Sequence, residues 1–139
     1  MTAVLAARPL DDDLVAPFWR GIGAGRLLLP RCSSCGGWEW YPSPAGPACA
    51  GAHYDWTETP ARGTVFTFTR VHHGFPGMNL ATPFTVGLVE PVEAPGVRLV
   101  SRLADTPDAP LAIGAAVRMK IVDDDLGLRA PLFVLDDQA

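Results

Sequence analysis

Hydrophobic positions change their period along this chain. Between Asp11 and Gly25, Leu14, Phe18 and Ile22 recur every four residues with Trp19 beside them, the spacing of one helical face. Asp11, Asp12 and Asp13 suit a helix start, Pro17 suits a first turn and Gly25 suits the position past the end, so a short helix is predicted. Residues 1–10 carry no period and are expected to form a flexible arm. Next, the apolar run within Arg26–Arg31 leads into Cys32, and Trp38-Glu39-Trp40-Tyr41 leads away from Cys35 before a Pro/Gly-rich return to Cys49. The layout predicted is strand, knuckle, strand, loop, knuckle, with Trp38, Trp40 and Tyr41 covering one face.

From Thr57 onward the pattern is that of short strands. Gly63 to His72 is rich in β-branched and aromatic residues, and alternates Phe66, Phe68, Arg70 and His72 against Val65, Thr67, Thr69 and Val71. Pro83–Pro91, Gly96–Leu103, Ala115–Val122 and Leu128–Leu135 supply four more strands, with Asp123, Asp124, Asp125 and Gly127 turning the last pair. Five such strands predict a small closed barrel of OB-fold type. The expected organisation is an arm over 1–10, a helix and ribbon over 11–60, and the barrel over 61–139.

Composition agrees with a mainly β chain. Fourteen glycines and fourteen prolines among 139 residues favour strands and turns over long helices, and 48% hydrophobic residues suffice for one ordinary core. The formal net charge of −4, with Lys120 and ten arginines spread along the sequence, argues against nucleic-acid backbone binding. No stretch has the length of a membrane span and the first ten residues lack signal-peptide features, so a cytoplasmic protein is expected. In a reducing compartment, three cysteines in a knuckle pattern point to metal before disulfide.

All three cysteines fall in one stretch. Cys32-x-x-Cys35 presents two thiolates from one turn, and Cys49 opens a second knuckle in which Ala52 stands where a fourth cysteine is usual. His53, one residue later, is the nearby replacement ligand. Cys32, Cys35, Cys49 and His53 therefore make a candidate structural zinc site in a rubredoxin-like zinc ribbon. Iron-based electron transfer would call for four thiolates. A zinc hydrolase would need an open position with a base beside it, whereas ribbon knuckles usually close around the ion.

His72 and His73 end the longest strand, beside the loop Gly74-Phe75-Pro76-Gly77-Met78. Paired histidines there have the chemistry to act as acid and base, or to hold a thioester carbonyl. No G-x-S-x-G elbow or phosphate-binding glycine loop follows a strand, and Gly21-Ile22-Gly23-Ala24-Gly25 belongs to a helix end.

The order of these landmarks resembles one family: Pro17-Phe18-Trp19, Gly25-Arg26-Leu27, Arg31-Cys32-x-x-Cys35-Gly36, a proline-bearing return to Cys49, then Gly63-Thr64-Val65-Phe66-Thr67-Phe68-Thr69. Pro83–Glu90 and Ile113-Gly114-Ala115-Ala116-Val117 continue it, so the likeness runs from about residue 14 to 135. The chain is similar to the zinc-ribbon OB-fold proteins known as domain of unknown function 35, associated with acyl-CoA metabolism. The resemblance implies a non-catalytic accessory subunit that docks onto a thiolase-like aldolase or acyltransferase, including those that cleave steroid side-chain CoA thioesters, or onto a MaoC-like hydratase. It implies that ribbon and barrel help to form a channel for a CoA thioester shared with the partner. His72, His73, Phe75, Arg70, Arg98 and Arg102 are the residues expected to line it or pair with phosphate. The alternatives are a nucleic-acid-binding ribbon/OB module and an independent thioester hydrolase using His72 or His73.

Overall fold

The computed structural model describes residues 13–77, 81–104, 110–123 and 129–136. The arm, the Asp11 and Asp12 caps, Met78 and the turn residues Asp124, Asp125 and Gly127 lie outside them. Helix α1 spans Ala16–Gly23 and begins later than the aspartates suggest. Val15 holds the N-cap position without a side-chain cap bond, no acidic residue lies in the first turn, and Pro17 sets the start. At the far end Ala24 N–H donates to Gly21 O at 2.9 Å, and Gly25 adopts φ 76°, which reverses the chain. Ala16, Phe18, Gly21 and Ile22 are the buried face. A Cβ at Gly21 would stand 3.0 Å from both Arg26 O and Leu28 Cγ, so glycine is what lets the next strand leave so close to the helix.

Strands β1 (Leu27–Cys32) and β2 (Tyr54–Thr59) form a two-stranded antiparallel ribbon, in register from Leu27↔Thr59 to Cys32↔Tyr54. This corrects the expected pairing. Trp38 to Tyr41 is not the partner strand and contributes a single bridge, Arg31↔Trp38. The residues between the knuckles instead fold back over the ribbon as a loop, with Trp40 tilted against Phe18 at 4.8 Å and Trp38 beneath the Arg31 guanidinium at 4.9 Å.

The remaining strands are β3 (Arg62–Val71), β4 (Phe84–Pro91), β5 (Leu99–Ala104), β6 (Ala116–Asp123) and β7 (Arg129–Leu135). They close into a barrel in the order β3-β4-β5-β7-β6, the five-stranded OB arrangement. Among the described residues, β5 and β7 are the one pair that runs parallel. At that seam Ser101 Oγ donates to Pro131 O at 3.4 Å, a side-chain bond beside a residue with no N–H. The simple alternation expected for β3 is broken by a bulge between Val65 and Thr67. Val65 is buried before the bulge and Phe68 packs on the core after it, while Phe66 is turned outward under the Arg98 guanidinium, 4.0 Å from the ring centre.

One hydrophobic cluster joins the two parts. Phe18, Ile22, Leu27 and Leu29 from helix and ribbon are buried in the same cluster as Val65, Val89, Leu99, Leu103, Val117 and Phe133 from the barrel. Helix α1 accordingly packs on both β1 and β7. Fully burying side chains of this size stabilises by about 1.5–3 kcal/mol each, so the ribbon draws support from the barrel as well as from any metal.

Candidate functional site

The two knuckles are built by backbone bonds that the cysteine spacing permits. Cys32 closes β1, Gly36 N–H donates to Cys32 O at 3.0 Å, and Cys32 N–H donates to Gly37 O at 2.8 Å. Gly36 supplies φ 73°, and Gly37 N–H points at Cys35 Sγ, 3.4 Å away. In the second knuckle Ala52 N–H donates to Cys49 O at 3.1 Å, with Gly51 at φ 75°. Ser33 and His53 then tie the knuckles together: Ser33 N–H donates to His53 O at 2.9 Å, and His53 N–H donates to Ser33 Oγ at 3.0 Å.

As a result Cys32, Cys35 and Cys49 converge, their sulfurs all within 4.8 Å of one another. Tetrahedral zinc with Zn–S of about 2.3 Å needs sulfurs about 3.8 Å apart, so a small closure of the trio fits the ion. The electrostatics favour a cation. The backbone amide of Cys35 is the chief cause holding the Cys32 thiol below its ordinary pKa, and burial opposes it. Cys49 is pushed the other way, chiefly by hydrogen bonding of its thiol with Cys35 and then Cys32, with the charge of those neighbours adding to it. A divalent ion among the sulfurs reverses that penalty and would hold all three as thiolates. Such an ion supplies a cross-link between the knuckles.

His53 is not in the converging group. Its backbone serves the knuckle tie, while its exposed ring leans along the chain to Asp55, Nε2 to Oδ1 at 3.1 Å. His53 immediately precedes β2, and its ring bonds Asp55 on that strand while the converging donors are the three thiols.

A carboxylate missed by sequence reading organises the loop between the knuckles. Glu39 Oε1 accepts from Tyr54 Oη at 3.2 Å, and Glu39 Oε2 accepts from Ala48 N–H at 3.4 Å. Tyr54 Oη in turn accepts from Ser43 N–H at 2.8 Å, and burial raises the Tyr54 pKa above the usual phenol value. The only available signal was a lone acidic residue between two tryptophans. From this loop an aromatic line, Trp19, Phe18, Trp40 and Tyr41, runs with ring centres 5.1, 4.8 and 4.6 Å apart, and ends in an exposed Tyr41.

The expected thioester-lining residues do not gather at one place. His72, His73 and Phe75 follow β3 and are all exposed, Phe75 by 72%. Arg70 lies near the end of β3 opposite Thr85, and Arg102 on β5 stands over Phe84 at 5.9 Å, both toward this end of the barrel. Arg98 is set apart: it bonds Glu90 at the other end of β4, about 20 Å from Phe84 at about 3.3 Å per residue. The cations are also less scattered than the sequence implies, since Arg62 lies directly opposite Arg118 across β3 and β6, with Lys120 two residues on and all three exposed.

Fold and site define a class: a short helix and a thiol-knuckle ribbon followed directly by an OB barrel. The family model described as "ChsH2, C-terminal OB-fold domain" matches residues 56–122. Among solved structures, a chain of the Ltp2-ChsH2(DUF35) aldolase superposes with a TM-score of 0.78 at 29% identity, covering 92% of this chain and 98% of that one. A DUF35 family protein of unknown function from Sulfolobus solfataricus superposes at 0.59 and 17% identity, covering 89% and 86%, and attests the fold alone. None of the curated proteins compared matches. These matches support the resemblance to the DUF35 family.

Proposed function

We propose that the chain is a non-catalytic accessory subunit of an aldolase, docking onto a thiolase-like enzyme and completing its site for an acyl-CoA thioester. The observation that carries this reading is the nearly end-to-end match to a chain of the Ltp2-ChsH2(DUF35) aldolase. The physical features agree with it. The cysteine cluster is built as a staple, with a zinc ion as the fitting cross-link, and His72, His73 and Phe75 stand exposed just past the end of β3. Exposed aromatic surface at Tyr41 and Phe75 is of the kind that protein interfaces bury. In this reading Tyr41 and the aromatic line behind it contact the partner, and the loop after β3, with Arg70 and Arg102, faces the CoA portion of the shared ligand.

Co-expression with a thiolase-like aldolase of the proposed kind tests the docking step. The expected result is a stable hetero-oligomer on size-exclusion chromatography that Tyr41→Ala weakens at least tenfold. Two species that elute separately at micromolar concentration would contradict it.

A further inference from the structure

Two facts about the thiol trio do not follow from its use as a staple. The second knuckle turns back on Ala52, which has no donor, and His53 is held by Ser33 through its backbone and by Asp55 through its ring. Among the described residues, the donors that converge number three, and all are sulfur. Tetrahedral zinc asks for four. Cys35 is exposed and Cys49 half-buried, so the trio is approached from solvent without displacing any core residue.

We propose that the metal held by Cys32, Cys35 and Cys49 takes its fourth ligand from outside the chain, and that this ligand is a small thiol. Three thiolates select a soft or borderline ion, which favours another sulfur over oxygen. The neighbouring charge tolerates one. Arg31 Nε donates to Gly36 O at 2.7 Å, which places a guanidinium beside the first knuckle to offset an additional negative sulfur. On binding, the thiol releases its proton to solvent and its sulfur enters the coordination sphere, with no change in oxidation state. The ribbon is thereby a ligand-binding site in addition to a fold element, and the bound thiol adjusts how tightly the two knuckles are held.

Cobalt(II) substitution in the full chain reads the coordination sphere directly and needs no partner, so its outcome is separate from that of the subunit proposal. The cobalt protein is titrated anaerobically with 2-mercaptoethanol while its visible absorption is followed. Expected are a saturable shift of the d–d bands to lower energy and a rise in sulfur-to-cobalt charge transfer. His53→Ala should behave as the wild type. Ala52→Cys, which restores a fourth thiolate in the chain, should show the shifted spectrum from the outset and lose the response to thiol. A thiol-free spectrum that changes in His53→Ala would put the imidazole on the metal and overturn the proposal. So would a wild-type spectrum indifferent to thiol, extraction of the metal by thiol, or failure of the chain to bind cobalt(II).

Discussion

Glu90 Oε2 accepts from Arg98 Nη1 at 2.7 Å while the same guanidinium covers Phe66, so one ion pair fastens the connection between β4 and β5 to the bulge of β3. The carboxylate also accepts from Gly96 N–H at 2.8 Å. Gly96 is the chief cause holding the Glu90 pKa below the ordinary carboxylate value, with Arg98 adding to it. A carboxyl lowered in the folded state contributes stability above its unfolded value and loses it as pH falls through the folded one. Urea midpoints measured from roughly pH 6 down to about pH 3 should therefore fall more steeply in the wild type than in Glu90→Gln. Parallel curves for the two proteins would contradict the assignment.

Tyr54 links the loop between the knuckles to the ribbon through Ser43 and Glu39. Tyr54→Phe keeps the ring and removes both bonds, and should lower unfolding free energy by about 1–2 kcal/mol. A urea midpoint unchanged from the wild type would show that the network holds nothing.

Gly87 sits where β3 passes its bulge, and a Cβ there would meet Thr67 O at 2.6 Å and Leu103 Cδ1 at 2.5 Å. Gly87→Ala should destabilise the barrel by about 1–3 kcal/mol as the neighbours shift. The contrasting site is Gly23, exposed in α1 with nothing within 4 Å, where alanine should be neutral or stabilising by up to about 1 kcal/mol. Equal effects at the two positions, by thermal melting, would refute the crowding argument.

If zinc joins the knuckles, the purified chain should carry about one ion, and Cys32→Ser should lose it. Chelation should lower the melting temperature and unmask thiol reactivity at Cys35. A melting temperature unchanged after complete metal removal would show that the barrel core alone sustains the ribbon.

The barrel was legible because each of its five strands carries a local pattern: β-branched residues, alternation, and bounding Gly, Pro or Asp. The ribbon was only half legible. Trp38 to Tyr41 has strand-like composition, but its aromatic rings are taken by Phe18 and by Arg31, and the ladder goes to Tyr54–Thr59, whose polar sequence conceals a pairing set by the knuckles. The β3 bulge was equally hidden, since an uninterrupted alternation puts Phe66 and Phe68 on one side and only the cross-strand register separates them. The three thiols were found by spacing alone. The aim of the His53 ring was not, because one residue of phase decides which way a side chain leaves a turn, and spacing does not carry that phase.

The central claim, that this chain completes another enzyme, is tested most directly by titration into the purified thiolase-like protein proposed as its partner, with an acyl-CoA thioester as substrate. Carbon–carbon cleavage should be absent from either protein alone and should rise to a plateau near a fixed stoichiometric ratio. A partner whose turnover is the same without this chain would contradict the account.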